Sequence, residues 1–541
     1  MTLSVKTSSS RAACFSVALV GLFVLVTLPG VLTHEMWRDE LHAWMLARDS
    51  HSLAQLFSNL RTEGHPGLWH LSLYALSRIS RDPILMQIFH LGIAAASVYL
   101  IARFSPFSLL QKCLLAFGYF NIYEYAIISR SYAMGVFLIF AFCACMTRLE
   151  APKTRTTPYT QFAPFLILAL TANTSVYGLF ISMALMLYLV SPTSPTHKSS
   201  YPYIRISGIL FVVSAWLICL LQVSQITRGQ GAQRYAFTDL STPLGGVELL
   251  AVIMRAATTL TQIWRSYVPM PALWSDNFWG TNVLEAVDVF QLVAGIDVTE
   301  VFTVLMSVLF VVCVCFFLKH QPKLLATYLT GTLLLLGFSF VFFEGSIRHH
   351  GHLFILLVAC LWLSRAGFNR VVSAAPESHR SLPNIDTDLV KNDNRQQIFL
   401  TTLLIFHVCA GALLVSVDWM KPFSGSRRAA DYILDHQLED FPIFGYLDRE
   451  VSSISAYLDK PVFYPDANGF GTFWTTPFNR DWTGITDAIQ IFVQEQGEPT
   501  ILILTKPLEL QIPGVDIELL TRSPGKLAPE ETFYLYRADS R

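Results

Sequence analysis

The sequence predicts a polytopic α-helical membrane protein that ends in a small α/β domain, and three observations predict it. Hydrophobic residues make up 53% of the 541 and charged residues 14%, where a soluble chain carries about 25% charge. Apolar runs long enough to cross a bilayer recur from the N-terminus to about residue 417. Beyond residue 420 the pattern changes to short alternating strand-like and helix-like stretches carrying most of their charge as acid. Formal charge is balanced, 38 Lys+Arg against 39 Asp+Glu, yet residues 421–541 hold 11 basic and 18 acidic residues. An acidic tail and no long basic run exclude nucleic acid as the partner. The nine cysteines lie in or beside apolar segments and match no zinc spacing, so they read as small apolar fillers.

The first span covers about 12–32, behind Lys6 and Arg11, and lacks a cleavage site of small residues. Ten more follow at about 84–102, 109–122, 132–147, 161–173, 177–191, 206–224, 300–318, 324–342, 352–366 and 398–417. Orienting them by Lys/Arg in short loops puts the N-terminus in the cytoplasm. Arg103, Lys112, Arg148, Lys153, Arg155, Lys198, Arg205, Lys319, Lys323, Arg365, Arg370, Arg380, Lys391 and Arg395 then all fall on the cytoplasmic side. Residues 66–80 are apolar but only about 15 long, and a crossing there would turn every later basic loop outward, so they read as an interfacial helix.

Two further regions are placed outside. The loop of about 225–299 carries Arg228, Arg234, Arg255 and Arg265 with Trp264, Tyr267, Trp274, Phe278 and Trp279, and includes an amphipathic helix near 245–268. The tail 420–541 reads helix (426–438), strand (442–446), helix (449–458), strand (461–464), helix (484–496), and strands at 500–505, 515–520 and 532–537. That alternation predicts a partly parallel sheet. The division expected is therefore a membrane domain over 1–419, with 34–82 and 225–299 as its extracytoplasmic loops, and an α/β domain over 420–541.

Sorted by side, the polar residues gather at the outer face. Trp37-Arg38-Asp39-Glu40-Leu41-His42 follows the first span, then Glu63-Gly64-His65-Pro66-Gly67-Leu68-Trp69-His70. Between later spans come Tyr123-Glu124-Tyr125 with Ser129-Arg130-Ser131-Tyr132, and Glu344-Gly345-Ser346-Ile347-Arg348-His349-His350-Gly351-His352. Each has a plain structural use: Asp39 suits a helix cap, His65-Pro66 a helix entry, Arg130 and Arg348 anchors for lipid phosphate. Their convergence on one face needs more than that. A carboxylate within reach of a hydroxyl can take its proton, and arginines or a divalent cation neutralise a departing phosphate. Asp39 and Glu40 point about 100° apart on a helix, so one can face a substrate while the other orients a neighbour or a metal.

An acidic pair just after the first span, followed by His-Pro-x-Leu, resembles the C-fold (GT-C) membrane glycosyltransferases, including the protein O-mannosyltransferases and lipid A aminoarabinose transferases. Here the elements are Asp39-Glu40 and His65-Pro66-Gly67-Leu68, with Gly where those relatives usually carry a second Pro. The resemblance is strongest over about residues 10–150. It implies an inverting transferase that moves a sugar from a polyprenyl-phosphate donor to an extracytoplasmic glycan, lipid or protein. Asp39 is then the candidate base with Glu40 in support. Arg348 and Arg130 are the candidate phosphate contacts, and His65, Tyr132 and His349 further substrate contacts. Asp39 and Glu40 are also the candidate ligands of a divalent cation, Mg or Mn. The implied location is a bacterial inner membrane, with the tail extracytoplasmic. The competing class is a transporter or flippase of lipid-linked glycans, which calls for charges along a midplane path and paired broken helices. Phe470-Gly471-Thr472-Phe473-Trp474 offers aromatic surface for a glycan and equally suits a domain core.

Overall fold

The structure is a computed structural model, and it describes residues 2–151, 157–191, 202–224, 246–275, 279–284, 298–374, 387–474, 484–509 and 511–541. The helices are α1 (Thr2–Thr33), α2 (Arg38–Arg48), α3 (Leu53–Asn59), α4 (Leu68–Ser77), α5 (Ile84–Phe104), α6 (Leu109–Ala116), α7 (Tyr132–Leu149), α8 (Pro158–Ala172), α9 (Val176–Val190), α10 (Pro202–Val223), α11 (Gly246–Tyr267), α12 (Val298–Leu318), α13 (Pro322–Val341), α14 (Ile347–Ala374) and α15 (Thr387–Met420), then α16 (Ser426–Asp435), α17 (Asp448–Leu458) and α18 (Ile485–Gln496) in the tail. The chain is an integral multi-pass membrane protein: eight helices among the described residues are long and apolar enough to cross a bilayer, namely α1, α5, α7, α10, α12, α13, α14 and α15.

The three other predicted spans are shorter. α8 and α9 have 15 residues each, about 22 Å at 1.5 Å per residue against a hydrocarbon core of about 30 Å. The predicted span 109–122 breaks after Ala116. A Cβ on Gly118 would lie 3.2 Å from His407 Cβ on α15, and Asn121 Nδ2 donates to Leu115 O at 2.7 Å, capping a carbonyl that the ended helix leaves open. A single π-turn over Phe120–Glu124 follows. α4 has only ten residues and packs Trp69 and Leu73 with α2's Leu41, Trp44 and Met45, so it lies alongside α2 instead of spanning. α11 falls within the predicted amphipathic stretch; Arg228, Arg234 and Phe278 lie outside the described residues, as do Lys153, Arg155, Lys198 and Arg380.

Helix ends sort into two sets. One brings together Glu150, paired with Arg370 and with Lys323 at 3.8 Å, and bonded by Tyr188 Oη at 2.9 Å. The loops of that end carry most of the basic residues listed above. The other end gathers α2, the 125–131 turn, the starts of α7, α9 and α14, and the tail. α14 is the most enclosed of the eight, buried from His349 to Leu363.

The tail is an α/β domain. Its strands are β1 (Ile443–Tyr446), β2 (Val462–Tyr464), β3 (Gly469–Gly471), β4 (Thr500–Leu504), β5 (Val515–Ser523) and β6 (Phe533–Ser540). They form one sheet in the order β3-β2-β1-β4-β6-β5, with β1 parallel to β2 and β4 and the rest antiparallel. In β4, Ile501 and Ile503 pack toward α16 and α17 while Leu502 and Leu504 pack toward α18, the period-two alternation of a strand covered on both faces. β3 is the strand the sequence did not announce, since Gly469-Phe470-Gly471 is short and two of its three residues are glycine, which strands disfavour.

One close approach at the site end is made at a glycine of α14. A Cβ on Gly351 of α14 would collide with Tyr125 Oη and lie 2.5 Å from Phe120 Cε1. Gly351→Ala is therefore expected to cost about 1–3 kcal/mol, read as a lowered unfolding temperature of the purified protein, whereas Gly92→Ala, inside α5 with nothing within 4 Å of the added carbon, should match or exceed wild type.

Candidate active site

The acidic pair divides its labour. Trp37 precedes α2 in an extended conformation and Glu40 turns back to accept from Trp37 N at 3.2 Å, so the helix begins with its third residue bonded to its cap. Glu40 is fully buried. Its second oxygen accepts from Ser129 N at 2.6 Å, and His34 Nε2 lies 3.0 Å from the first. His34 Nδ1 reaches Asp418 of α15 at 2.9 Å. Burial opposes charge on His34, but Asp418 and Glu40 outweigh it and push its pKa up to about 10. A buried imidazolium thus bridges two carboxylates and ties the ends of α1, α2 and α15 to the turn before α7.

That turn delivers Arg130. His90 Nδ1 donates to Ala126 O at 3.1 Å and its Nε2 accepts from Arg130 N at 3.3 Å, and Glu40 holds Ser129. Arg130 Nη1 then donates to the Asp39 carbonyl in a short contact and stands 4.0 Å from Asp39 Oδ2. Arg348, the second residue of α14, places Nη2 3.2 Å from Asp39 Oδ2. Its guanidinium lies over Trp37 at 5.0 Å and Trp279 at 5.3 Å, a cation–π cradle. Trp279 is fixed by Nε1 donating to Glu124 Oε1 at 3.0 Å. Burial raises the Asp39 carboxyl, but Arg130, Arg348 and Arg38 together overcome it and hold it at about 2.

These groups line a cavity of about 340 Å³ with Arg38, His42, Glu63, His65, Tyr132, Tyr177, His349, Arg449 and Trp474. His65 Nδ1 donates to Glu63 O at 3.0 Å, which leaves Nε2 as acceptor facing Arg130 Nη2 at 3.4 Å. Burial and Arg130 both lower the His65 pKa, so it stays neutral. Tyr132 packs edge-on to His349 at 5.3 Å, and His349 Nδ1 accepts from Ser346 N at 2.8 Å. That bond forms because Gly345 turns with φ +79°, a conformation glycine adopts without a Cβ penalty.

Of the seven residues singled out from sequence, the structure brings six to the cavity: Asp39, His65, Arg130, Tyr132, Arg348 and His349. Glu40 does not line it, because both its oxygens serve the His34 and Ser129 braces. The pair is also a poor cation site. Its carboxylates diverge, and the one in the cavity already faces three guanidiniums, each of which would repel a dication. Nor do His350 and His352 turn inward: they bond the carbonyls of Glu344 and His349, each at 3.0 Å. Among the described residues no group of three His, Cys, Asp or Glu has metal-holding geometry.

The tail contributes more than the sequence suggested. Arg38, buried beside Asp39, donates through Nη1 to Glu450 and through Nη2 to Glu530, each at 3.1 Å, while Arg38 N donates to Glu531 at 2.9 Å. Arg449, at the first turn of α17, lines the cavity. The available signal was positional: Asp448-Arg449 follow the carboxyl end of β1, between parallel neighbours, where crevices form in α/β sheets. The aromatic stretch divides. Phe470 is exposed, Phe473 packs into the α2 and α3 clusters, and Trp474 stacks on His42 in the cavity wall.

No family model matches the sequence, and no curated protein does. Among solved structures the chain is similar to ArnT from Cupriavidus metallidurans bound to undecaprenyl phosphate, at 10% identity and TM-score 0.49, covering 96% of this chain and 97% of that one. The apo state of the same protein matches at 12% identity and TM-score 0.38, covering 96% and 98%.

Because Glu40 neutralises His34, Glu40→Ala leaves a buried cation with one partner fewer, a change that costs about 3–5 kcal/mol and should lower the unfolding temperature far more than Asp39→Asn does. The same triad sets a pH dependence. His34 is charged in the fold up to about pH 10 but in the unfolded chain only below about 6.5. Its contribution is therefore complete below about 6.5 and disappears as pH rises through 10. Unfolding temperature should fall from pH 7 to 10, and His34→Gln should flatten that slope.

Proposed function

We propose that the protein is an inverting glycosyltransferase that moves a sugar from a polyprenyl-phosphate donor to an acceptor hydroxyl on the extracytoplasmic face of a bacterial inner membrane. The observation that carries this reading is the ionised Asp39 held between Arg348 and Arg130 in a cavity at the less basic end of the bundle. Positive charge at the opposite loops supports placing that end outside.

The donor's phosphate, still bearing one negative charge, is the natural competitor for Arg348 and Arg130. When it takes them, the guanidiniums are shared away from Asp39, and the carboxylate's affinity for a proton rises. The acceptor oxygen attacks the anomeric carbon from the face opposite the phosphate. The bond from carbon to phosphate oxygen breaks, its electron pair leaves with the phosphate, and the acceptor proton passes to Asp39. Arg348 and Arg130 neutralise the charge that grows on the leaving group. Tyr132 and His349 wall the cavity beside them, and the isoprenoid tail lies among the apolar helices. We assign charge neutralisation to the arginines and route no step through a divalent cation.

Transfer of radiolabelled sugar from a panel of polyprenyl-phosphate sugars, in membranes, tests this. Asp39→Asn should lower kcat about 10²–10⁴-fold, the usual contribution of a positioned base, without loss of the folded protein. Arg348→Ala should lower kcat/KM for the donor by about 10²-fold or more. EDTA should leave the rate unchanged. A rate that survives Asp39→Asn would sink the assignment of the base, and a wild type that transfers none of the panel would sink the donor class.

A further inference from the structure

The proposed reaction uses one wall of the cavity and leaves another unemployed. Glu63 is a second carboxylate in the lining, separate from Asp39. It touches His42 Nε2, and burial's tendency to raise its pKa is outweighed chiefly by the contact with His42. The carboxylate is therefore ionised, in direct contact with His42 and coupled to the Arg130 guanidinium. His42 is 3% exposed, lines the cavity, and has a buried Nδ1 with no hydrogen-bond partner. Trp474, brought in by the tail, stacks on the His42 ring at a centroid distance of 3.3 Å and 15° between planes. Its indole is also part of the lining.

We infer that Glu63, His42 and Trp474 form a subsite for the hydroxyls of a sugar ring. An ionised carboxylate accepts from two neighbouring hydroxyls at once, and an indole packs on the apolar face of a pyranose or furanose. His42 holds the carboxylate in place. Position agrees with this assignment. His42 follows Asp39 by three residues on α2, so the two side chains emerge on one face with Cβ atoms about 5–6 Å apart, roughly the width of one ring. The phosphate wall and the hydroxyl wall are thus adjacent, and a glycosyl group bound by one reaches the other. The inference rests on the transferase reading. The ring belongs either to the donor or to the acceptor, and the same chemistry serves both.

Equilibrium binding and steady-state kinetics on the full chain in lipid nanodiscs separate these sources. The binding probes are a polyprenyl phosphate without sugar and the polyprenyl-phosphate sugar that wild type transfers, and the acceptor is titrated kinetically. Glu63→Gln should weaken one sugar-bearing ligand by about 10-fold or more, the value of a hydrogen bond to a charged group, while binding of sugar-free polyprenyl phosphate stays at the wild-type level. Weakened binding of the glycosylated donor places the donor's sugar in the subsite. A raised KM for the acceptor alone places the acceptor there. A substrate lacking the contacted hydroxyl should lose the same factor on wild type and nothing more on Glu63→Gln. Should Glu63→Gln fail to fold, Trp474→Ala, which removes the indole and keeps the carboxylate, should shift the same ligand. Unchanged affinities and KM values overturn the inference, as does an equal loss for the sugar-free phosphate. A wild type that neither binds nor transfers any donor overturns the transferase reading and this subsite with it.

Discussion

The arrangement depends on one buried interaction, the imidazolium of His34 held between Glu40 and Asp418. Three charged groups without solvent are costly unless they are paired, and here the partners come from four separate elements. Glu40 spends one oxygen on His34 and the Trp37 amide and the other on the Ser129 amide. The start of α2, the end of α15 and the turn before α7 therefore cannot shift independently. Asp39 and Arg130 belong to two of those elements, so their geometry is set by a network neither of them joins.

This explains why adjacent acids have opposite fates. Successive helical positions differ by about 100°, which sends Glu40 into the junction and Asp39 into the cavity. The buried member positions, and the other lines the cavity. Arg38, on the other side of Asp39, extends the same logic to the tail, where Glu450, Glu530 and Glu531 receive it. Three consecutive charged residues thus point to three places: the tail, the cavity and the helix junction. The tail is consequently part of the site, since the contacts that dock it on α2 also carry Arg449 and Trp474 to the cavity rim.

Much of this was legible beforehand. Spans, the side on which polar residues gather, and most tail elements follow from hydropathy, charge bias and periodicity, which are local properties of a chain. Five of the cavity residues were legible because they sit near where a span ends, which topology alone groups, and His65 because it belongs to the His-Pro-x-Leu element. The rest depended on distance in sequence. His34 pairs with Asp418 across 384 positions and Arg38 with Glu531 across 493, and no local pattern reports such a pairing. The break after Ala116 was hidden for a related reason: Gly118 matters only because His407 packs against it.

The charge layout also bears on the order of events at the site. In the described structure Arg348 and Arg130 are partnered by Asp39, so in the proposed reaction an entering phosphate exchanges one anion for another instead of meeting bare cations. Such an exchange keeps the desolvated charges paired throughout and makes the proton affinity of Asp39 depend on whether the phosphate is present. In the proposed reaction, a base that strengthens only when the donor is bound suppresses proton traffic in the empty site. The short link from Arg130 to the Asp39 carbonyl does not depend on the carboxylate, so the arginine keeps its place while its electrostatic partner changes. The coupling therefore resides in the one carboxylate that faces the cavity, and the junction behind it supplies the rigidity that makes the exchange local.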